Sequence, residues 1–191
     1  MVNVWQNRLM ATQPIDRYTL EQYRDLEEKL DYRSEFHDGL ILPVEAATPN
    51  HSRLSAAMIG ILRAAFFPQC AVYDSSLNLY IASANRVLHP DATVLCGTPN
   101  YPTPNCLDNP TVLVDITSPS TKDYDYGTKR EFYFTLSSLR HYLLVSQTEP
   151  LVGHYERSGA GWIYVDRGMD AVISLGDRGI PVASIYAGVE R

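Results

Sequence analysis

Hydrophobic residues recur with a helical period in two stretches of the chain, and each stretch predicts an amphipathic helix. The first follows Thr19, which together with Gln22 fits a capping box. The second follows Asn50, a predicted N-cap, and ends before Pro68. A third helix is predicted over residues 126–136. The apolar residues that define the first two helices are Leu20, Tyr23, Leu26 and Leu30, followed by Leu54, Met58, Ile61, Leu62 and Ala65.

Strand signals occupy most of the remaining chain. Asp38-Gly39 is a two-residue hairpin signal between the segments 34–37 and 40–44. The run 111–117 is nearly all β-branched or apolar, as expected of a central strand that is covered on both faces. This order of elements predicts an α/β fold with a central mixed β-sheet flanked by helices. Shorter strands are predicted at 71–74, 77–82, 92–96, 141–146, 151–155 and 162–165.

Length and composition fit one globular domain. The chain has 191 residues, of which 45% are hydrophobic and 20% are charged. We predict a single domain over residues 1–191, with 1–17 as an irregular N-terminal arm and 97–110 as a long loop rich in Pro and Asn. The sequence has no run of about 18 apolar residues and no signal-peptide pattern at its start. We therefore predict a cytoplasmic protein without a membrane partner.

Cysteine usage and charge narrow the chemistry further. Cys70, Cys96 and Cys106 form no C-x-x-C pair, so we predict three reduced thiols and neither a disulfide framework nor a zinc ribbon. The net charge of −6 counts against tight, non-specific binding of DNA, for which a basic surface is expected. Metal-binding carboxylates contribute to this total, and a bound dication would reverse the local field.

One carboxylate, Asp115, interrupts the apolar central strand. Burial of this group is costly unless it is paired or bound to a metal ion. A salt bridge or a capped turn at the strand end is one explanation, and a metal site is the other. Asp91 opens the strand 92–96, so two acids at the ends of neighbouring strands can converge on one cation. Mg²⁺ needs only one or two protein carboxylates besides waters and substrate phosphate.

A cation beside such carboxylates can position an attacking water or stabilise a transition state. Lys129 lies on the first turn of the third predicted helix, whereas Lys122 lies in a polar loop. An exposed helix lysine is the alternative explanation for Lys129. We predict that Lys129 supplies the cation, because a helix packed on the sheet would hold it more firmly than a loop would hold Lys122.

Several short motifs, in their order and spacing, support a relationship to a known family. The motifs are His89-Pro90-Asp91, the run VDITSPST at 114–121, the run DYGTK at 125–129, Glu35 ahead of Asp38-Gly39, His51 at a helix start, and the segment 139–145. Together they resemble the Uma-type family of restriction-endonuclease-like proteins in the PD-(D/E)XK nuclease superfamily. The resemblance covers roughly residues 17 to 157 and implies a restriction-endonuclease-like fold. For His51 it leaves two possibilities, a side chain that faces the site or a bond to the backbone at the helix start.

The resemblance implies a role for each candidate residue of the site. Asp91 would be the metal-binding Asp of the PD element, and Asp115 the second ligand, where this family more often has Glu. Thr117 occupies the place of the usual Lys, so Lys129 is implied as the substitute cation. Glu35 is implied as an outer acid that holds a metal-bound water or a second ion. The implied cofactor is Mg²⁺, for which Mn²⁺ can substitute.

Two hypotheses about function follow from the sequence. The first is a Mg²⁺-dependent endonuclease that hydrolyses phosphodiester bonds, with DNA as its substrate. The second is a non-catalytic nucleic-acid-binding module, or a dimeric interaction module, on the same fold, which the net charge and the missing D-x-K lysine favour. The acidic surface, the loop 97–110 and the resemblance also predict a homodimer, which would supply two sites for two strands.

Overall fold

The computed structural model describes residues 17–44 and 46–189. Except for Arg17, the predicted N-terminal arm lies outside the described residues. The helical segments are α1 (Leu20–Glu27), α2 (Pro49–Phe66), a 3₁₀ turn (Ala82–Ala84), α3 (Lys122–Tyr124), a π-helical turn (Asp125–Lys129), α4 (Arg130–Phe134) and α5 (Val182–Ile185). The strands are β1 (Ser34–His37), β2 (Leu40–Pro43), β3 (Cys70–Asp74), β4 (Asn78–Ile81), β5 (Arg86–Leu88), β6 (Ala92–Cys96), β7 (Cys106–Leu107), β8 (Val112–Thr117), β9 (His141–Ser146), β10 (Leu151–Ser158), β11 (Gly161–Gly168), β12 (Val172–Leu175) and β13 (Arg178–Pro181).

These strands form two larger sheets and one hairpin. The six-stranded sheet has the order β11-β10-β9-β8-β6-β3, and the five-stranded sheet has the order β2-β1-β5-β4-β7. In the six-stranded sheet β8 and β9 are parallel, and every other neighbouring pair is antiparallel. The predicted mixed α/β architecture is therefore confirmed. Among the described residues, no helix has the length and apolar character needed to cross a membrane.

The central strand β8 divides the core because its side chains alternate between two faces. Val112, Val114 and Ile116 pack in one cluster with the buried side of α2. Leu113 belongs to a second cluster, on the other face, together with Tyr133 of α4. Asp115 has the same parity as Leu113, so its carboxylate lies on the α4 side of the sheet. Because side chains alternate along β8, the Asp115 carboxylate lies beside the second hydrophobic cluster.

The first helix and the first hairpin form as the sequence predicts. Thr19 Oγ1 accepts a hydrogen bond from the Gln22 N–H at 3.1 Å, and Gln22 Oε1 accepts one from the Thr19 N–H at 2.8 Å. These reciprocal bonds satisfy two N–H groups that have no partner within the helix. Asp38 and Gly39 both have positive φ, as a tight turn between β1 and β2 requires.

Two predicted helix boundaries are wrong. Thr48, and not Asn50, is the N-cap of α2: its Oγ1 accepts a hydrogen bond from the His51 N–H at 3.1 Å. Pro49 then occupies a first-turn position, where the missing N–H has no cost. The third helical run begins at Lys122 and ends at Phe134, so it is displaced from the predicted 126–136. Lys122 therefore begins a helical turn, and Lys129 lies beyond the first turn of that run.

The prediction of three reduced cysteines is also wrong. Cys70 and Cys96 lie directly opposite each other in the antiparallel pair of β3 and β6, with their Cα atoms 4.4 Å apart, and they form a disulfide. Cys106 is a buried free cysteine. The spacing of Cys70 and Cys96 carries no disulfide signal, because strand register brings them together. The prediction also missed four short strands, namely β5, β7, β12 and β13, together with α5.

Candidate functional site

Asp91 and Asp115 are neighbours because β6 and β8 are paired. Ala92 lies opposite Val114, and the same register continued by one residue places Asp91 beside Asp115. The Asp91 N–H donates to the Val114 carbonyl at 2.9 Å, and Asp91 Oδ2 accepts a bond from the Ile116 N–H at 2.7 Å. Both the backbone and the side chain of Asp91 are thus held against the strand that carries Asp115.

The Asp115 carboxylate is almost completely buried, with 2% of the residue's surface exposed. Lys129 Nζ donates to its Oδ1 at 2.9 Å, and the Tyr142 hydroxyl donates to its Oδ2 at 2.7 Å. Of the explanations that the sequence left open, the salt bridge is present, and its cation is the candidate Lys129. Charge-assisted bonds of this kind offset the desolvation of a buried carboxylate.

The π-helical turn presents Lys129 to this carboxylate. Gly127, inside the turn, has φ −103° and ψ −107°, which is not helical, so the chain kinks there between two helical turns. Lys129 Nζ also lies 3.8 Å from Asp125 Oδ1, one helical turn earlier. Lys129 is therefore held between two acids on the side of the sheet that carries Asp115.

Burial and charge set the protonation of the pair. Burial raises the pKa of Asp115 to about 7, the Lys129 ammonium opposes this shift, and Asp125 and Asp91 add to it. Burial acts to lower the pKa of Lys129, but the field of Asp115, with Glu35 and Asp125, raises it well above its ordinary value. Lys129 consequently stays charged, and Asp115 is the member of the pair that takes up a proton near neutrality.

Glu35 lies on β1, in the other large sheet, and the charge of Lys129 acts on it. Its Oε2 is 2.9 Å from His37 Nε2, and its Oε1 accepts a bond from the His89 N–H at 3.3 Å. Burial acts to raise the pKa of Glu35, but the bond to His37 and the charge of Lys129 lower it overall. Glu35 is thus a charged, largely buried acid.

His51 reaches the site from the first turn of α2. Its Nε2 lies 3.1 Å from Asp91 Oδ1, and its Nδ1 lies 3.4 Å from Ser55 Oγ. The hydrogen bond to Asp91 raises the pKa of His51. Its backbone N–H meanwhile bonds to the cap residue Thr48. Of the two possibilities raised for this histidine, the geometry therefore shows the side chain that faces the site.

Sequence reasoning missed two residues of the cluster, Tyr142 and Asp125. Asp125 had a readable signal, because it stands four residues before Lys129 and such pairs meet on a helix. Tyr142 had none, because its contact with Asp115 depends on the parallel register that puts Leu113 opposite Tyr142. Thr117, at the usual lysine position, is buried at the end of β8.

The donor set of the site can meet the needs of a divalent cation. Within residues 17–44 and 46–189, no three His, Cys, Asp or Glu side chains form a ready metal-binding group. Mg²⁺, however, is commonly held by only one or two protein carboxylates. Each ionised carboxylate has about four lone-pair sites, so Asp91 and Asp115 retain acceptor capacity beside their present bonds. Glu35 and Asp125 add negative charge near Lys129, so the donor types of this cluster are those that Mg²⁺ uses.

Comparison with known proteins gives the chain its relatives. Residues 20–180 match the family model Uma2, described as putative restriction endonuclease. The uncharacterized protein sll1609 of Synechocystis sp. is 31% identical over 145 residues, which are 74% of this chain and 81% of that protein. The uncharacterized protein slr1290 of the same organism is 28% identical over 183 residues, which are 92% of this chain and 95% of that protein.

A solved structure shares the fold. The crystal structure of a putative nuclease of the DUF820 group from Anabaena variabilis superposes with a TM-score of 0.69 at 16% sequence identity. The match covers 89% of this chain and 98% of that one. The predicted restriction-endonuclease-like fold is therefore confirmed. By the match over residues 20–180, the chain belongs to the Uma2 family of putative restriction endonucleases, which supports a nuclease-like role.

Proposed function

We propose that the chain is a Mg²⁺-dependent endonuclease that hydrolyses DNA phosphodiester bonds, with Mn²⁺ as a substitute ion. The observation that carries this proposal is the buried bond between Lys129 and Asp115 beside Asp91. In phosphoryl transfer, carboxylates such as Asp91 and Asp115 can hold a metal ion, and a cation such as Lys129 can stabilise the negative charge that develops on the phosphate. Family membership independently favours phosphodiester hydrolysis.

Each residue of the cluster has a distinct task in this proposal. Asp91 and Asp115 would hold the ion, which when bound polarises the scissile phosphate and lowers the pKa of a water. The Ile116 N–H orients the Asp91 carboxylate, and the Tyr142 hydroxyl orients that of Asp115. Lys129 offers its ammonium to the charge that develops on the phosphate.

Glu35 would act farther from the phosphate. His37 and the His89 N–H hold its carboxylate on the five-stranded sheet, and it shares the field of Lys129. We propose that Glu35 is an outer acid that holds a metal-bound water or a second ion. The role requires an ionised carboxylate, and the lowered pKa of Glu35 supports that state.

A specific observation favours a second candidate, a non-catalytic nucleic-acid-binding or interaction module. Both Asp115 oxygens already accept a hydrogen bond, from Lys129 and from Tyr142, and the chain carries a net charge of −6. A salt bridge that only stabilises the fold would look the same without metal. The two candidates differ in whether the acids bind a divalent cation.

Titration calorimetry with Mn²⁺ separates the two candidates. The endonuclease proposal expects the parent to bind Mn²⁺ and Asp91→Asn to bind it at least about tenfold more weakly, because a ligand charge is lost while the side-chain shape is kept. Asp123→Asn is the matched control, since Asp123 is exposed on α3, and its affinity should equal that of the parent. A parent that binds no Mn²⁺, or equal affinity in the parent and Asp91→Asn, would favour the non-catalytic module.

A further inference from the structure

Strand β11 forms one outer edge of the six-stranded sheet. It has eight residues, and in the part of the chain that the structure describes no strand pairs with its outer side. Ile163 is 52% exposed, Tyr164 41% and Val165 37%. Successive strand residues point to opposite faces, so β11 exposes large apolar side chains on both sides of the sheet.

The edge also lacks most of the features that usually prevent strands from pairing between molecules. Such features are charged side chains, lysine above all, prolines, bulges and very short edge strands. β11 contains no lysine or proline, and its two charged residues, Asp166 and Arg167, lie near its C-terminal end. Its pairing with β10 is continuous over eight residue pairs, from Leu151–Gly168 to Ser158–Gly161, so no bulge interrupts it. The backbone N–H and C=O groups of a long, regular edge are available to another strand.

The sequence of β11 is complementary to itself about Tyr164. In an antiparallel pair related by a two-fold axis, facing side chains share a face, so the axis must pass through one residue. An axis through Tyr164 places Ile163 opposite Val165 of the partner, and Tyr164 opposite its own copy. Apolar and aromatic cross-strand pairs of this kind stabilise sheets. Seven of the eight strand residues are then paired.

Charge favours the same register. With the axis through Tyr164, Asp166 lies opposite Trp162 and Arg167 lies opposite Gly161, so no like charges face each other. An axis through Val165 would instead place Arg167 opposite Ile163. An axis through Asp166 would oppose two carboxylates, which is destabilising. The two charged residues of the strand are therefore compatible with the register that pairs its apolar residues, and they exclude the axis through Asp166.

We propose that the occupant of this edge is a second copy of the chain. The β11 strands pair antiparallel about Tyr164 and join the two six-stranded sheets into one continuous sheet. Backbone hydrogen bonds between the strands provide affinity, and the Ile163–Val165 pairs provide register. The result is an isologous dimer whose interface contains none of the residues of the candidate site.

The pairing has a consequence that rests on the proposed function. Each β8 lies three strands inward from its β11, so the two β8 strands are seven strand spacings, or about 34 Å, apart. A twist of about 20° per strand turns the sheet by roughly 140° over that distance. The two sites then face nearly opposite directions, and each acts alone rather than in concert on the two strands of one duplex.

Light scattering on the full chain at micromolar concentration tests the surface. The parent should have about twice the monomer mass of 21.5 kDa. The double variant Ile163→Lys/Val165→Lys places lysines opposite lysines in the proposed register, and it should raise the dimer dissociation constant at least about tenfold. Val172→Lys is the matched control, because Val172 is an equally exposed strand residue at 51% on β12. It should stay dimeric.

A charge reversal tests the register. Ile163→Lys/Val165→Glu creates two Lys–Glu pairs across the proposed interface, so this variant should regain the dimer that the double-lysine variant loses. Both substituted positions are exposed, and circular dichroism should show parental folding throughout. If the parent is monomeric, or if the double-lysine variant dimerises like the parent, then β11 is not a dimer interface. Failure of the Lys/Glu variant to dimerise overturns the register. None of these readouts depends on metal binding or DNA cleavage.

Discussion

At the scale of single residues, the buried Lys129–Asp115 pair is both a salt bridge that affects folding stability and a part of the candidate site. Removing one member of a buried ion pair usually destabilises a protein strongly, because an unpaired charge remains. Asp115 can avoid this by taking up a proton, since burial already raises its pKa to about 7. We therefore expect a Lys129→Ala variant to fold near neutral pH, which makes its activity interpretable.

His141 and His154 form a second buried polar contact, away from the candidate site. His141 Nδ1 lies 3.1 Å from His154 Nε2, on the neighbouring strands β9 and β10. One ring must donate to the other, so the two cannot both be protonated without repulsion. Burial lowers the pKa of both histidines, and in His154, where His141 and Arg167 add to the effect, to about 4.

This pair predicts a loss of stability in acid. The unfolded chain binds the proton of residue 154 below about pH 6.5, whereas the folded chain binds it only near pH 4. The contribution of His154 to the free energy of unfolding should therefore be constant above about pH 6.5. As the pH falls below about 6.5, this contribution should decrease by up to roughly 3 kcal/mol. Urea unfolding of the parent and of His154→Gln at several pH values measures this. The stability advantage of the parent should narrow or reverse in acid, and a pH-independent difference would contradict the assignment.

At the scale of the element, the π-helical turn makes a prediction about glycine. Gly127 has a non-helical backbone at a kink between two helical turns, and no neighbouring atom would touch an added Cβ. Gly127→Ala should therefore lower the free energy of unfolding by about 1 kcal/mol, because alanine favours a regular helix over the kinked native chain. It should also disturb the Lys129–Asp115 bond, because the turn sets the direction of Lys129.

Gly60 provides the control for this variant. It is an exposed residue inside α2, and an added Cβ would likewise meet no neighbouring atom within 4 Å. Gly60→Ala should raise the free energy of unfolding by about 0.5–1 kcal/mol, because alanine favours a regular helix. Chemical unfolding of both variants measures the two changes. The same sign for both substitutions would show that the turn at Gly127 imposes no special requirement.

Local signals in the sequence predicted the elements whose causes are local. The capping box at Thr19, the Asp38-Gly39 turn and the apolar run before Thr117 each specify their element through neighbouring residues. The boundary at Asn50 failed because Thr48 competes for the same N–H groups from outside Pro49. The disulfide between Cys70 and Cys96 was missed because it depends on pairing between β3 and β6, which no local pattern encodes.

At the scale of the whole molecule, some residues of the candidate site could be predicted from local sequence signals, and others depend on how the strands pair. Asp115 was readable as a carboxylate in an apolar strand, and Asp91 and Lys129 from their places in the neighbouring strand and the following helix. The family resemblance added Glu35. The contact of Tyr142 with Asp115 requires the parallel register of β8 and β9, so it could not be read from the sequence. The roles of these residues remain predictions until metal binding and cleavage are measured.

The net charge also acts at this scale. A molecule with a net charge of −6 repels the DNA backbone, so affinity for DNA must come from local cations and from a bound dication. Lys129 is buried, and its charge is shared with acids. If the proposed function holds, binding of DNA should therefore depend on the divalent ion, and hence on the carboxylates proposed to hold it.

Single-turnover cleavage of a supercoiled plasmid, at one matched Mg²⁺ concentration, tests the central claim most directly. We expect the parent to cut with Mg²⁺ and not with chelator, and Asp91→Asn and Lys129→Ala to cut at least about a hundredfold more slowly while remaining folded. Lys122→Ala and Asp123→Asn, on exposed positions of α3, should keep most of the parental rate. A parent that leaves the plasmid intact, or a Lys129→Ala variant that cuts as fast as the parent, would contradict the account.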